Sequence, residues 1–96
     1  MITSFGNTLA RDLFEDQITK AVRYFPRELW QGARRKLLVL YDAAKLNDLR
    51  VLPGNRLEKL KGNRKDFWSI RINKQWRIVF KWDNECASEV SVEDCH

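Results

Sequence analysis

The chain has 96 residues, 44% of them hydrophobic, and carries a net charge of +5 with a sequence pI near 9.5. That is the size of one domain with a compact core, and no stretch approaches the ~18 apolar residues of a membrane span. Two cysteines, Cys86 and Cys95, and a single histidine are too few for a disulfide framework or a zinc site, so no metal centre is expected.

The N-terminus, MITSFGNTLARDLFED, carries acids where a signal or transit peptide has basic or apolar residues, so a cytoplasmic protein is expected. Ile2 to Phe5 closes on Gly6 and reads as an edge strand or the first strand of a sheet. Leu9, Leu13, Phe14, Ile18, Ala21, Val22 and Phe25 recur at helical spacing behind Asn7 or Thr8 as N-cap. Asp12, Glu15 and Asp16 suit the positive end of the dipole, and Pro26 stops the helix by Phe25. The same proline suits the first turn of a second helix. There Leu29, Trp30, Ala33, Leu37, Leu40, Tyr41 and Ala44 form an apolar stripe, with Trp30 and Tyr41 expected in core contact. Arg34, Arg35 and Lys36 lie mainly off that stripe, on an expected solvated face.

Leu46 to Asn55 leads out of the helix and turns at Pro53-Gly54. Leu57 to Leu60 alternates as a short strand ending at Lys61-Gly62. Trp68, Ile70 and Ile72, then Trp76, Ile78, Phe80 and Trp82, alternate with mostly polar residues and predict a hairpin. Asp83 to Ser88 reads as a polar connection, and Glu89 to Val92 as a last strand with Val90 and Val92 facing the core. The order β-α-α-β-β-β-β puts two helices on one face of a mainly antiparallel sheet, an α+β fold in one domain over residues 1–96.

Parity sets the hairpin register. The two apolar sets share a face only if paired residue numbers have an even sum. A three-residue loop of Asn73, Lys74 and Gln75 pairs Ile72 with Trp76 and puts Arg71 opposite Arg77, with Asn73 or Lys74 expected at positive φ. Two guanidinium groups then sit side by side on the face away from the core, a repulsive arrangement unless an anion or carboxylate lies between them. Residues 56–81 carry a net +7, and residues 82–96 carry −5. Two readings of that face follow. Its arginines pair with Glu58, Asp66 or the acidic tail, or the concentrated charge binds phosphate.

The run NRLEKLKGNR, then WSIRINKQWRIVF, and an acidic residue two before a C-terminal His together resemble the HigB group of bacterial toxins, within the RelE/ParE superfamily. The resemblance covers nearly the whole chain. It implies a microbial-RNase-like α+β fold and cleavage of mRNA in the ribosomal A site without metal or cofactor. It also implies a helix-turn-helix antitoxin of the HigA type, which silences the toxin and represses the shared operon, so that operator DNA is met only through the antitoxin. Lys61 matches the lysine of the LKG motif, Arg77 the phosphate-binding arginine of the QWRI strand, and Asp94 and His96 the terminal acid and histidine. Arg71 joins this catalytic set by geometry. Arg64, Lys65, Lys74, Lys81 and Cys95 are the expected RNA contacts. Cys95 stands where the family has tyrosine, whose stacking on a base is worth roughly 1–3 kcal/mol, and Glu58 stands near a histidine that some relatives carry.

In that chemistry RNA supplies its own nucleophile. The 2′-OH attacks the adjacent phosphorus and leaves a 2′,3′-cyclic phosphate and a free 5′-OH. Lys61, Arg71 and Arg77 would stabilise the phosphorane. His96, the one side chain with an unperturbed pKa near neutrality, would move the proton, with Asp94 orienting it or sharing the duty. Strand parity places Asp94 and His96 on the core face, so the tail must bend to reach Arg71 and Arg77. The competing readings are a ParE-like toxin acting on DNA gyrase without nuclease chemistry, and a weakly active homologue marked by Cys95.

Overall fold

The computed structural model of the chain describes residues 1–52 and 54–94. Pro53 of the expected turn, and the expected site residues Cys95 and His96, lie outside the described residues. Four helices, α1 (Thr8–Phe14), α2 (Lys20–Tyr24), α3 (Trp30–Asp42) and α4 (Leu46–Arg50), precede four strands. These are β1 (Glu58–Lys59), β2 (Phe67–Arg71), β3 (Trp76–Asp83) and β4 (Cys86–Asp94), all antiparallel neighbours in the order β1-β2-β3-β4.

The helices correct the sequence reading twice. The expected first helix is two, because the chain breaks after α1 where Asp16 adopts φ 59°. Asp12, 3% exposed, holds that break: its carboxylate accepts from Thr19 Oγ1 at 2.7 Å and its main-chain oxygen from Gln17 N at 2.8 Å. Ile18 consequently stands 62% exposed and not in the helical stripe. Asn7 is the N-cap, its Oδ1 accepting from Ala10 N at 3.0 Å. The segment after α3, read as an exit loop, contains α4, where the Asp48 carboxylate accepts from the Lys45 and Ala44 amides. Trp30 packs against the core and donates from Nε1 to Phe25 O at 2.9 Å, whereas Tyr41 lies at the rim on Phe14.

The hairpin register is the one parity requires: Arg71 opposes Arg77, and Ile72 N donates to Trp76 O. The loop needs no left-handed residue, contrary to expectation. Asn73 Oδ1 instead accepts from Gln75 N at 2.9 Å and Trp76 N at 2.7 Å, so a side chain closes the turn.

The last strand is longer than expected. β3 and β4 meet at a two-residue turn, Asn84-Glu85, with φ 51° and 63°. One extra residue on β4 makes a bulge at Glu89, φ 49°, as Val79 pairs with Ser91 but Lys81 with Ser88. The bulge resets the alternation, so Ala87, Val90 and Val92 all face the core. Ile2 and Phe5 form isolated parallel bridges to Ala87 and Val90 beside β4. Gly6 closes that pairing, since a Cβ there would lie 2.8 Å from Glu89 O. The core itself is Phe25, Leu37, Leu40, Leu49, Ile70, Ile78, Phe80 and Val90 with their neighbours, between the helices and one sheet face. The opposite face is left for polar work.

Candidate functional site

The face away from the helices is built by alternation on three strands: Ser69 and Arg71 from β2, Arg77 and Val79 from β3, Ser91 and Glu93 from β4. Arg77 sits at its centre. Its Nη1 donates to Ser69 Oγ at 3.1 Å and to Glu58 Oε2 at 3.3 Å, and its side chain is 23% exposed. The charge of Arg77 is thus taken by the β1 carboxylate, which relieves the cross-strand repulsion from Arg71.

Glu93, paired across the ladder with Arg77, grips Arg64 through both carboxylate oxygens at 2.7 and 2.6 Å. It also accepts from Ser91 Oγ at 2.5 Å. The hydrogen bonds from Arg64, with help from Ser91 and against its own partial burial, hold the Glu93 carboxyl below the usual glutamate range. The same pairing raises Arg64. A cleft of about 210 Å³ opens among these groups, lined by Leu60, Arg64, Ser69, Arg77, Val79, Glu93 and Asp94. Val79, 4% exposed, forms its apolar floor.

Of the expected residues, the cleft gathers Arg64, Arg77 and Asp94. Asp94 pairs with Trp76, on the strand position that parity assigned to the core face, yet it is exposed and accepts from Gln75 Nε2 at 2.9 Å. Lys61 and Lys65 flank the short 3₁₀ turn Gly62–Arg64, in which Gly62 at φ 69° supplies a backbone state that side chains resist. Lys61 and Arg71 line no part of the cleft and enter no ion pair among the described residues. Lys74 is exposed in the β2–β3 loop. Lys81 is held by Glu89 at 2.9 Å, a contact that raises its pKa.

Glu93, Glu58 and Ser69 are not among the expected site residues. Glu93 comes opposite Arg77 only through the β4 bulge, since the register set by the β3–β4 turn would otherwise place Val92 there. Of the two readings of this face, carboxylate pairing among the described residues is seen for Arg77 with Glu58 and for Arg64 with Glu93 of the acidic tail, and not for Arg71. Lys36, by contrast, is no solvated cation: it bonds the buried Asn55 Oδ1, and burial lowers its pKa.

Two guanidinium groups gathered on carboxylates, with a hydroxyl beside one of them, are groups of the kind that can bind an oxyanion, since a phosphate makes the same two-point contacts as a carboxylate. Among the described residues no group of three His, Cys, Asp or Glu could hold a metal ion, and no helix is long and apolar enough to cross a membrane. A second hollow of about 190 Å³, between the α1–α2 connection and α3, contains none of the expected site residues.

Comparison with known proteins gives the chain a family. A family profile described as "RelE-like toxin of type II toxin-antitoxin system HigB" matches residues 3–96. Toxin HigB-1 of Vibrio cholerae is 40% identical over 82 residues, covering 85% of this chain and 84% of that protein. Endoribonuclease HigB of Proteus vulgaris is 31% identical over 96 residues, covering the whole of both. Among solved structures, a chain of the YoeB-YefM complex from Staphylococcus aureus superposes with a TM-score of 0.60 at 17% identity, over all of this chain and 98% of that one. At that identity the likeness speaks for the fold.

Proposed function

We propose, from the premise that this chain belongs to the RelE-like toxins of the HigB type II toxin–antitoxin family, that it is a ribosome-dependent endoribonuclease that cuts mRNA in the A site. The observation that carries this reading is Arg77 at the centre of an open, phosphate-sized cleft, with Arg64 at its side and Ser69 within hydrogen-bond reach. The name of the Proteus vulgaris relative supports the ribonuclease class.

In the proposed reaction the scissile phosphate displaces Glu58 from Arg77 and Glu93 from Arg64. The 2′-OH of the substrate attacks phosphorus, and the 5′ oxygen leaves. Guanidinium groups fixed by the sheet stabilise the charge that develops on the phosphorane, and Lys61 and Arg71 at the margins add to the field. Asp94, on the cleft wall, and His96, two residues on, share the proton transfers. A chain of 96 residues has little surface with which to choose an mRNA sequence alone, so the ribosome presents the codon. A HigA-type antitoxin is the expected inhibitor, and the Staphylococcus aureus neighbour is itself part of a two-protein complex, YoeB-YefM.

The test is cleavage of a defined mRNA on programmed 70S ribosomes, beside free RNA and a His96→Ala variant. Cuts at A-site codons that require the ribosome and weaken without His96 support the proposal. Toxicity in cells without cuts refutes it and directs attention to gyrase, where a ParE-like toxin would act.

A further inference from the structure

Phe67 is out of place for a hydrophobic residue. Of the five phenylalanines and four tryptophans, it is the one that packs neither within nor against the core. Position decides this: Phe67 shares the β2 face of Ser69 and Arg71, and its strand partner is Lys81. The ring is half-buried on the basic face, with the Arg64 guanidinium and the Lys81 ammonium each 5.2 Å from its centroid.

Both cations are anchored from β4. Glu93 holds Arg64 by two oxygens, and Glu89 holds Lys81 at 2.9 Å. Each cationic side chain nonetheless remains at least 40% exposed (44% and 40%). Phe67 lies two residues along β2 from Ser69, or about 6.7 Å at the usual rise per residue, and Ser69 Oγ touches Arg77 at 3.1 Å. An aromatic ring thus stands one short step from the phosphate cleft, fenced by two positive charges. Single-stranded nucleic acid is bound by this combination, an aromatic surface for a base and cations for the flanking phosphates.

We propose that Phe67, with Arg64 and Lys81, forms a base-stacking subsite for the nucleotide next to the scissile phosphate. The assignment rests on reading the cleft as an RNA site. It also supplies an aromatic surface in a chain whose Cys95 offers none. The base takes a cation's place over the Phe67 ring, and Arg64 and Lys81 exchange their carboxylates and their ring contacts for the phosphates on either side.

The test uses a fully 2′-O-methylated RNA hexanucleotide, which cannot be cleaved through its 2′ oxygen, and a matched oligonucleotide bearing abasic residues. Both are titrated into the wild type, Phe67→Leu and Phe67→Trp, with thermal unfolding as a check on folding. Wild type should prefer the base-bearing strand by about ten-fold or more, the scale of one stacked base. Phe67→Leu should erase that preference while leaving affinity for the abasic strand unchanged, and Phe67→Trp should keep or strengthen it. A merely structural phenylalanine would lower both affinities together. Equal binding of the two strands by wild type, or an undiminished preference in Phe67→Leu, would overturn the subsite. If Phe67→Leu fails to fold, loss of the preference in Phe67→Trp overturns it equally. If the preference depends on Phe67 but the wild type cuts no mRNA on ribosomes, Phe67 stands as a base-stacking RNA contact, and the nuclease reading falls with its scissile phosphate.

Discussion

Glu93 and Arg64 form a two-point ion pair, at 2.7 and 2.6 Å, with Glu93 directly opposite Arg77 across the β3–β4 ladder on the open face. On the proposed reading, the Glu93 carboxylate stands in for a phosphate. It satisfies a guanidinium that an RNA phosphate would otherwise claim, so the cleft is assembled in the free protein but not left bare. The same logic applies at Glu58 and Arg77, 3.3 Å apart.

Glu93→Gln tests this pairing by keeping the shape and removing the charge. Both side chains are substantially exposed (44% and 32%), so the loss of stability at pH 7 should be modest, about 0.5–1 kcal/mol. Arg64 holds the Glu93 carboxyl low in the folded state. Its contribution is therefore whole above the ordinary glutamate pKa of about 4.3 and is lost as pH falls through the lower folded value. Urea unfolding should separate wild type from the variant at pH 7 and show them converging in acid. Affinity for single-stranded RNA at low salt should rise in the variant, because one competing carboxylate is gone.

Asn55 is the polar keystone behind the site. It is 2% exposed, its Nδ2 donates to Leu49 O at 3.1 Å, its Oδ1 accepts from Lys36, and its main-chain oxygen accepts from Arg71 N at 2.6 Å. Asn55→Ala leaves the Lys36 ammonium and the Leu49 carbonyl without these partners. Unsatisfied buried groups cost roughly 1–3 kcal/mol, so the melting temperature should fall by several degrees, at about 4–8 °C per kcal/mol for a domain of this size. A melt unchanged in Asn55→Ala would mean that the network contributes nothing.

The proposed reaction uses the substrate's own 2′-OH. A single 2′-deoxy substitution at the cleaved nucleotide should abolish cutting at that codon while leaving neighbouring codons susceptible. Products from unmodified mRNA should carry a 2′,3′-cyclic phosphate and a 5′-OH, read by end-labelling. A 5′-phosphate on the downstream fragment would require water as nucleophile and a different site.

The central hairpin was legible because a period of two admits only one register once both apolar sets must share a face. That alone brings Arg71 opposite Arg77. The carboxylates were not legible in the same way. Placing Glu93 required knowing that β4 runs back along β3 with a bulge at Glu89, and a bulge shifts parity without announcing itself in composition. The first helix failed for a local reason. Phe14, Ile18 and Val22 keep helical spacing across residues 15–19, but Asp12 draws the Thr19 hydroxyl and the Gln17 amide into a turn, and Asp16 goes left-handed. A turn closed by one side-chain pair and one main-chain hydrogen bond leaves no periodic trace. Phe67 was visible as a polar-face aromatic in the alternation, but nothing in the spacing revealed that Arg64 would reach its ring.

Arg77 carries most of the proposed chemistry, so the decisive measurement is single-turnover cleavage of A-site mRNA on programmed 70S ribosomes by the wild type, Arg77→Lys and Arg77→Ala. Folding of each variant is verified by its thermal melt. Removing a charge-stabilising donor of this kind costs roughly 10²–10³ in rate, so Arg77→Ala should fall by that factor and Arg77→Lys should recover part of it. A folded Arg77→Ala protein that cuts at the wild-type rate would contradict the assignment of this cleft as the site of chemistry.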